Sequence, residues 1–186
     1  MLSPKNPTTV HFWCRAICLL MAVILTSSCS TPQHTADTVL LAKKGIAENR
    51  PFRWKVNYGM MGVRFGMRSR EVKEILGKPS ERIGHAWQYD TIGIAINFEK
   101  HDQVLSFSAG DGSDPNGLLS KAFKGITERG IRMGSKEEAV IRAYGSPSSR
   151  QASGDIVSLV YSLQPHQRLV FLLQNGRVFH ITAVRE

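Results

Sequence analysis

An internal repeat is the feature that most constrains the fold of this chain. The segment 62–79 recurs at 130–147, at a constant shift of 68 residues (130 − 62). Six residues of each copy are identical in type and spacing: Gly62, Arg64, Gly66, Val72, Gly77 and Pro79 in the first, and Gly130, Arg132, Gly134, Val140, Gly145 and Pro147 in the second. Recurrence at a fixed period predicts a repeated structural unit.

Each copy of the repeat predicts a short helix. Three apolar residues fall at i, i+3 and i+4 in both copies, namely Val72, Ile75 and Leu76, and Val140, Ala143 and Tyr144. Gly77 and Gly145 then stand where a helix C-cap favours positive φ. Ser135 and Glu138 form a capping-box pattern in the second copy, which the first copy lacks. The glycines lack the spacing of a phosphate-binding loop, so we interpret them as backbone-geometry residues.

Three predicted strands follow each helix. They occupy 86–89, 92–98 and 103–108 after the first helix, and 156–162, 167–173 and 177–184 after the second. Asn175 and Gly176 supply a two-residue hairpin turn. The predicted fold class is therefore α+β, with two tandem repeats, each a short helix packed on a three-stranded antiparallel β-meander. The first repeat would span 51–109, the linker 110–125 and the second repeat 126–186.

The N-terminal region predicts export and lipidation. Lys5 and Arg15 precede an apolar run at 16–25, which is typical of a signal peptide and is too short to span a bilayer comfortably. The run ends in small residues before Cys29, and this pattern resembles a bacterial lipoprotein signal that is cleaved just before an acylated cysteine. The alternatives are an ordinary cleaved signal and an uncleaved anchor. We expect a signal peptide at 1–28 and a tether with a short helix at 29–50.

Charge and cysteine content restrict the partners. The chain carries 24 basic and 15 acidic residues, a net charge of +9. Removing residues 1–28 takes away Lys5 and Arg15 and no acid, so the mature charge is +7 (22 − 15). The basic residues are scattered, which indicates a solvated face or attraction to anionic lipid rather than nucleic-acid binding. Cys29 would be the only cysteine of the mature chain, so no internal disulfide is expected.

No catalytic or metal-binding motif is present in the sequence. The serine-hydrolase, β-lactamase and zinc-protease patterns are absent, and the histidines are isolated from one another. Asp111 and Asp114 lie in a turn-rich linker that lacks the order of a calcium-binding loop. We therefore expect a protein that is not an enzyme and that has no catalytic residue, metal, cofactor or small-molecule substrate.

Aromatic residues are the candidates for partner binding. Residues 51–58 alternate aromatic or apolar with polar side chains, which predicts a half-buried strand with its aromatics on one face. Tyrosine and tryptophan dominate binding hot spots. The candidate partner-binding residues are Trp54, Tyr58, Trp87, Tyr89 and Tyr161, although their residue types favour core packing as the role of each.

The repeat motif, followed by a strand meander, resembles the SmpA/OmlA family of small outer-membrane lipoproteins. It is also similar to the tandem-repeat β-lactamase-inhibitor-protein fold, over residues 58–109 and 126–184. The first resemblance implies a lipid-anchored binding or scaffold lipoprotein on the periplasmic face of the outer membrane, with an envelope protein partner and a role in outer-membrane protein assembly. The second implies an inhibitor of a periplasmic enzyme, gripping it through a concave sheet. A soluble periplasmic protein is the alternative location.

Overall fold

The computed structural model describes residues 52–113, 119–163 and 166–186. Eight strands form the main sheet: β4 (Glu81–Ile83), β5 (Ala86–Tyr89), β6 (Ile94–Phe98), β7 (Val104–Gly110), β9 (Ser149–Ser153), β10 (Ile156–Leu163), β11 (Gln167–Gln174) and β12 (Arg177–Arg185). The short strands are β1 (Arg53–Trp54), β2 (Gly59–Met60), β3 (Val63–Arg64) and β8 (Ile126–Thr127). The helices are α1 (Ser69–Leu76) and α2 (Glu137–Tyr144), and a 3₁₀ turn spans Asp90–Ile92.

The prediction of two tandem helix-on-meander repeats is wrong. Eight of the described strands, four from each half, belong to one antiparallel sheet, in the order β4-β5-β6-β7-β12-β11-β10-β9. Strand β7 pairs with β12, from His180 opposite Gly110 to Val184 opposite Ser106. Each predicted meander would have left its last strand with unpaired backbone groups at a sheet edge. Pairing those two strands with each other satisfies both edges.

Each half of the sheet also has four strands rather than the predicted three. The additional strands, β4 and β9, directly follow the helices and form the two edges of the sheet. Every residue of β4 is exposed, and so are four of the five residues of β9. A strand that buries almost nothing has no apolar alternation, so the pattern that predicted the other strands could not reveal these two.

The core lies between one face of the sheet and the two helices. One row of directly opposed residues crosses six strands on this face: Tyr89, Ile94, Ala109, Ile181, Phe171 and Leu159. All six are buried. Val72 of α1 and Val140 of α2 are fully buried in the same core. The ring of Tyr144 in α2 lies 5.2 Å from the ring of Phe171, centroid to centroid. We call this the helix-covered face.

The helix ends confirm the predicted C-caps but not the predicted N-cap. Gly77 and Gly145 have φ of 81° and 84°, in the region that glycine adopts without steric cost. At the N-termini the capping-box prediction is wrong in both copies. Glu71 of the first copy accepts a hydrogen bond from the Arg68 backbone N–H at 2.8 Å. In the second copy Ser135 accepts from the Arg132 N–H, and α2 begins only at Glu137.

The predicted strand at 51–58 is much shorter in the structure. Strand β1 contains only Arg53 and Trp54 and pairs in parallel with β8. Trp54 is fully buried, whereas Tyr58 is 55% exposed, so the aromatics of this segment do not share one face as expected. The predicted signal peptide, the tether with its helix and Cys29 lie outside the residues that the structure describes.

The continuous sheet predicts cooperative unfolding of both halves. Replacing fully buried Phe171 by alanine should lower the free energy of unfolding by about 3–5 kcal/mol, through lost burial and the cavity left behind. Because β7 pairs with β12 and β1 pairs with β8, the halves are coupled, and we expect the fluorescence of Trp54 and Trp87 to report the same shifted urea midpoint as far-UV circular dichroism. Exposed Ser162→Ala is the control. An unchanged tryptophan midpoint in Phe171→Ala would show that the halves unfold independently.

Candidate binding surface

Three of the five candidate aromatics are buried in the core. Tyr89 and Tyr161 are each 4% exposed and lie on the helix-covered face. Their hydroxyls donate to the carbonyl oxygens of Gly77 at 3.3 Å and Gly145 at 3.1 Å, so both tie a helix C-terminus to the sheet. Burial raises the pKa of Tyr89 to about 12, and burial also raises the pKa of Tyr161. Trp54 packs edge-on against another core ring.

The other two candidates are accessible but lie in different parts of the fold, Trp87 in the main sheet and Tyr58 in a turn. Trp87 of β5 is half-buried, and its ring lies 4.3 Å from the Arg82 guanidinium carbon and 4.8 Å from the Phe98 ring centroid. Tyr58 lies between β1 and β2 and accepts a hydrogen bond from Arg64 at 3.1 Å. The structure therefore does not gather the five aromatics into one patch. Their role in partner binding stays a prediction.

The opposite side of the sheet presents a different set of side chains, which we call the open face. One row of directly opposed residues crosses it from β5 to β10: Gln88, Ala95, Ser108, Thr182, Val170 and Val160. A neighbouring row contains Ala86, Asn97, Ser106, Val184, Arg168 and Ser162. Side chains alternate between the faces of a strand, so these residues point away from the two helices.

Polar side chains form a hydrogen-bonded group in the middle of the open face. The Asn97 amide donates to the Ser106 hydroxyl at 2.9 Å. The Ser108 and Thr182 hydroxyls lie 3.1 Å apart across the junction of β7 and β12. Nε2 of His180 lies 3.0 Å from the same threonine hydroxyl. The group spans both halves of the sheet, and we call it the polar group.

A buried amide lies beside the polar group with its donor unused. Gln88 is only 2% exposed, and its Nε2 has no hydrogen-bond partner in the part of the chain that the structure describes. An unsatisfied buried amide costs about 1–3 kcal/mol of stability. Gln88 heads the row that runs through Ser108 and Thr182.

An apolar strip adjoins the polar group on β10, β11 and β12. Its members are half-buried and stand on the open face: Val160, Val170, Leu172 and Val184. The open face thus combines hydrogen-bonding groups with aliphatic side chains and carries few charges. The sequence signal for it was present, since Ser106 and Ser108 alternate with apolar residues, as do His180 and Thr182. Alternation of polar and apolar residues predicts that one face of a strand is polar, but it does not identify the molecule that this face contacts.

The described residues contain no group of three or more His, Cys, Asp or Glu side chains arranged to hold a metal ion. Among the same residues, no helix is long and apolar enough to cross a membrane. The open face itself presents amide, hydroxyl and aliphatic groups.

Substitutions of Gln88 and Asn97 should have opposite effects on stability. Gln88→Leu removes an unsatisfied buried amide at similar volume, and we expect the free energy of unfolding to rise by about 1 kcal/mol. Asn97→Leu instead removes a made hydrogen bond to Ser106, and we expect a loss of about 1 kcal/mol. Urea denaturation of the two variants measures both. A destabilised Gln88→Leu variant would mean that the amide is satisfied in solution.

No protein-family model and no curated protein sequence matches this chain. Among solved structures, the chain is similar to a DUF4309 family protein (YjgB) from Bacillus subtilis, with 15% identity and a TM-score of 0.45, over 64% of this chain and 78% of that one. It is also similar to an extracellular protein containing a SCP domain from Bacillus anthracis, with 9% identity and a TM-score of 0.44. That match covers 66% of this chain and 44% of the other. Neither likeness assigns a family or a function.

Proposed function

We propose that this chain is a lipid-anchored binding and scaffold lipoprotein of the cell envelope, on the periplasmic face of the outer membrane, where it assists outer-membrane protein assembly. The observation that carries the binding role is the open face. It runs uninterrupted across both halves of the sheet, and its polar group and apolar strip lie side by side.

The size of the open face suits one protein partner. Eight strands spaced ~4.8 Å apart, with about six residues each at ~3.3 Å per residue, give an area of roughly 34 Å by 20 Å, or about 700 Å². A stable protein interface of ordinary size buries about 800 Å² on each partner. The whole open face, but not one half of it, therefore approaches the area that a specific complex needs.

The composition of the open face also suits a protein partner. Non-obligate interfaces mix apolar and polar area and are depleted of charge at their centre. The central residues Ser108, Thr182 and Val170 meet that description. Arg168 lies in the neighbouring row and forms an ion pair with Glu186. Charge thus lies beside the central row rather than within it.

The anchor rests on the sequence. The apolar run at 16–25 and the small residues before Cys29 support cleavage and acylation at that cysteine. Ser30 follows Cys29, in place of the aspartate that favours inner-membrane retention in some bacteria, and this supports the outer membrane. A lipid on Cys29 would hold the sheet near the membrane through the tether at 29–50.

Cys29→Ser should release the protein from the membrane. We expect the native chain to fractionate with outer membranes and to incorporate a palmitate analogue, because the acyl chains contribute about 0.8 kcal/mol per buried CH₂ group. The variant should incorporate none and leave the outer-membrane fraction. Ser28→Ala, which alters the neighbouring position and keeps the thiol, is the control. Native protein that takes up no analogue would exclude the anchored form.

A substitution on the open face should weaken binding of the partner protein. We expect tagged mature protein, purified from gently solubilised envelopes, to bring down barrel-assembly components or outer-membrane barrels, identified by mass spectrometry. Leu172→Lys places a charge in the apolar strip and should lower the recovery of these partners at least tenfold. The reason is that an unfavourable substitution at a binding hot spot costs about 2 kcal/mol or more of binding free energy. Ile141→Lys makes the same chemical change on the exposed surface of α2.

The Ile141→Lys variant is the control, because it adds the same charge at a position outside the open face. Both variants are first compared with the native protein by circular dichroism, because Leu172 is half-buried. Equal loss in Leu172→Lys and Ile141→Lys would contradict binding through the open face. Recovery of one soluble enzyme at equal stoichiometry would instead favour the inhibitor function.

A further inference from the structure

A stretch without acidic residues follows the tether. From 49 to 70 the sequence contains no Asp or Glu, although it contains six Lys and Arg residues. In the described part of this stretch, Arg53, Lys55 and Arg64 are exposed. The open face and its polar group do not include any of them. A cationic stretch next to an anchored tether is the arrangement that binds an anionic membrane surface.

The strand pairing brings these cations to one side of the N-terminal segment. Arg53 and Lys55 are exposed and alternate with buried Trp54 and Val56. Lys55 pairs with Gly59, and Gly59 pairs with Arg64. The side chains of directly opposed residues lie on the same face. Lys55 and Arg64 therefore lie on one face, on either side of Gly59, and two strand spacings separate them by about 10 Å.

An exposed aromatic ring completes the surface. Tyr58 is 55% exposed, more than any other large apolar or aromatic side chain of the described residues. Arg64 donates to its hydroxyl at 3.1 Å, and the guanidinium carbon lies 5.8 Å from the ring centroid. Tyrosine favours membrane interfaces because its ring is apolar and its hydroxyl is polar. We call Arg53, Lys55, Tyr58 and Arg64 the basic–aromatic surface.

No carboxylate among the described residues forms an ion pair with a cation of this surface. Glu128 is a carboxylate that contacts the backbone of the segment, and each of its two oxygens has a hydrogen-bond partner. One accepts from the Val56 backbone N–H at 2.9 Å, and the other lies 3.4 Å from the Tyr144 hydroxyl that donates to it.

We infer that the basic–aromatic surface rests on the anionic phospholipid headgroups of the leaflet that holds the anchor. The inference depends on the proposed function for the anchor, because the tether at 29–50 ends immediately before this surface. Each cation held against an anionic leaflet strengthens surface binding about fivefold, so three cations contribute on the order of a hundredfold. Contact through this surface would set the orientation in which the anchored domain presents its open face.

Thiol protection at Asn57 tests this inference. Asn57 is exposed, and the variant Asn57→Cys would carry the single free thiol of the processed, lipidated chain. The purified lipidated protein is placed on vesicles of phosphatidylcholine, or of phosphatidylcholine mixed with phosphatidylserine. We expect alkylation by an uncharged maleimide to slow severalfold on the anionic vesicles and to recover in high salt, which screens the attraction.

Two controls test whether the protection depends on the position of the thiol and on the three cations. Gln151→Cys, on the exposed edge strand β9, should react at the same rate on both vesicles. Combining Asn57→Cys with Arg53→Gln, Lys55→Gln and Arg64→Gln should abolish the protection without removing Tyr58. Equal rates at Asn57→Cys on both vesicles, or protection that survives the triple substitution, overturns the inference. Protection on native membranes only would assign the surface to an acidic protein instead.

Vesicle flotation separates a failure of this inference from a failure of the proposed anchor. A chain that floats on both vesicles without protection at position 57 retains the anchor and lacks the headgroup contact. A chain that floats only on anionic vesicles lacks the anchor and binds through charge, which supports the surface. A chain that floats on neither vesicle overturns both.

Discussion

The antiparallel pairing of β7 with β12 is the contact on which the rest of this structure depends. It joins two halves whose strands lie about 70 residues apart in the chain, and it places Phe107 beside Ala183 and Ser108 beside Thr182. The first pair lies in the core and the second on the open face. One set of backbone hydrogen bonds therefore makes both faces continuous, and it replaces two vulnerable sheet edges with an interior seam.

The helices depend on the same sheet. Each is only eight residues long, which is too short to be stable alone in water. Burial of Val72 and Val140 supplies apolar contact, and a tyrosine of the sheet binds the carbonyl of each C-cap glycine. Tyr161 makes this bond in the second half as Tyr89 does in the first. Two of the five aromatics that the sequence suggested for recognition, Tyr89 and Tyr161, therefore hold the helices.

The open face and the basic–aromatic surface differ in their chemistry. The open face is largely uncharged and combines hydroxyls with aliphatic groups, as around Thr182 and Val170. The basic–aromatic surface carries Lys55 and Arg64 beside an exposed tyrosine. In the arrangement that we propose, the charged surface contacts lipid headgroups and the neutral surface contacts a protein. Membrane contact and partner binding would then use separate surfaces of one small domain.

The sequence by itself determined the features that a few neighbouring residues encode. These include both helix positions, the positive φ at Gly77 and Gly145, and the Asn175–Gly176 hairpin between β11 and β12. The tertiary structure alone decided that β7 meets β12, that two exposed strands complete the sheet, and that Tyr89 faces the core whereas Gln88 faces away. The reason is physical. Backbone preference and side-chain period act within a few residues, whereas strand pairing depends on complementarity between segments that no local pattern relates.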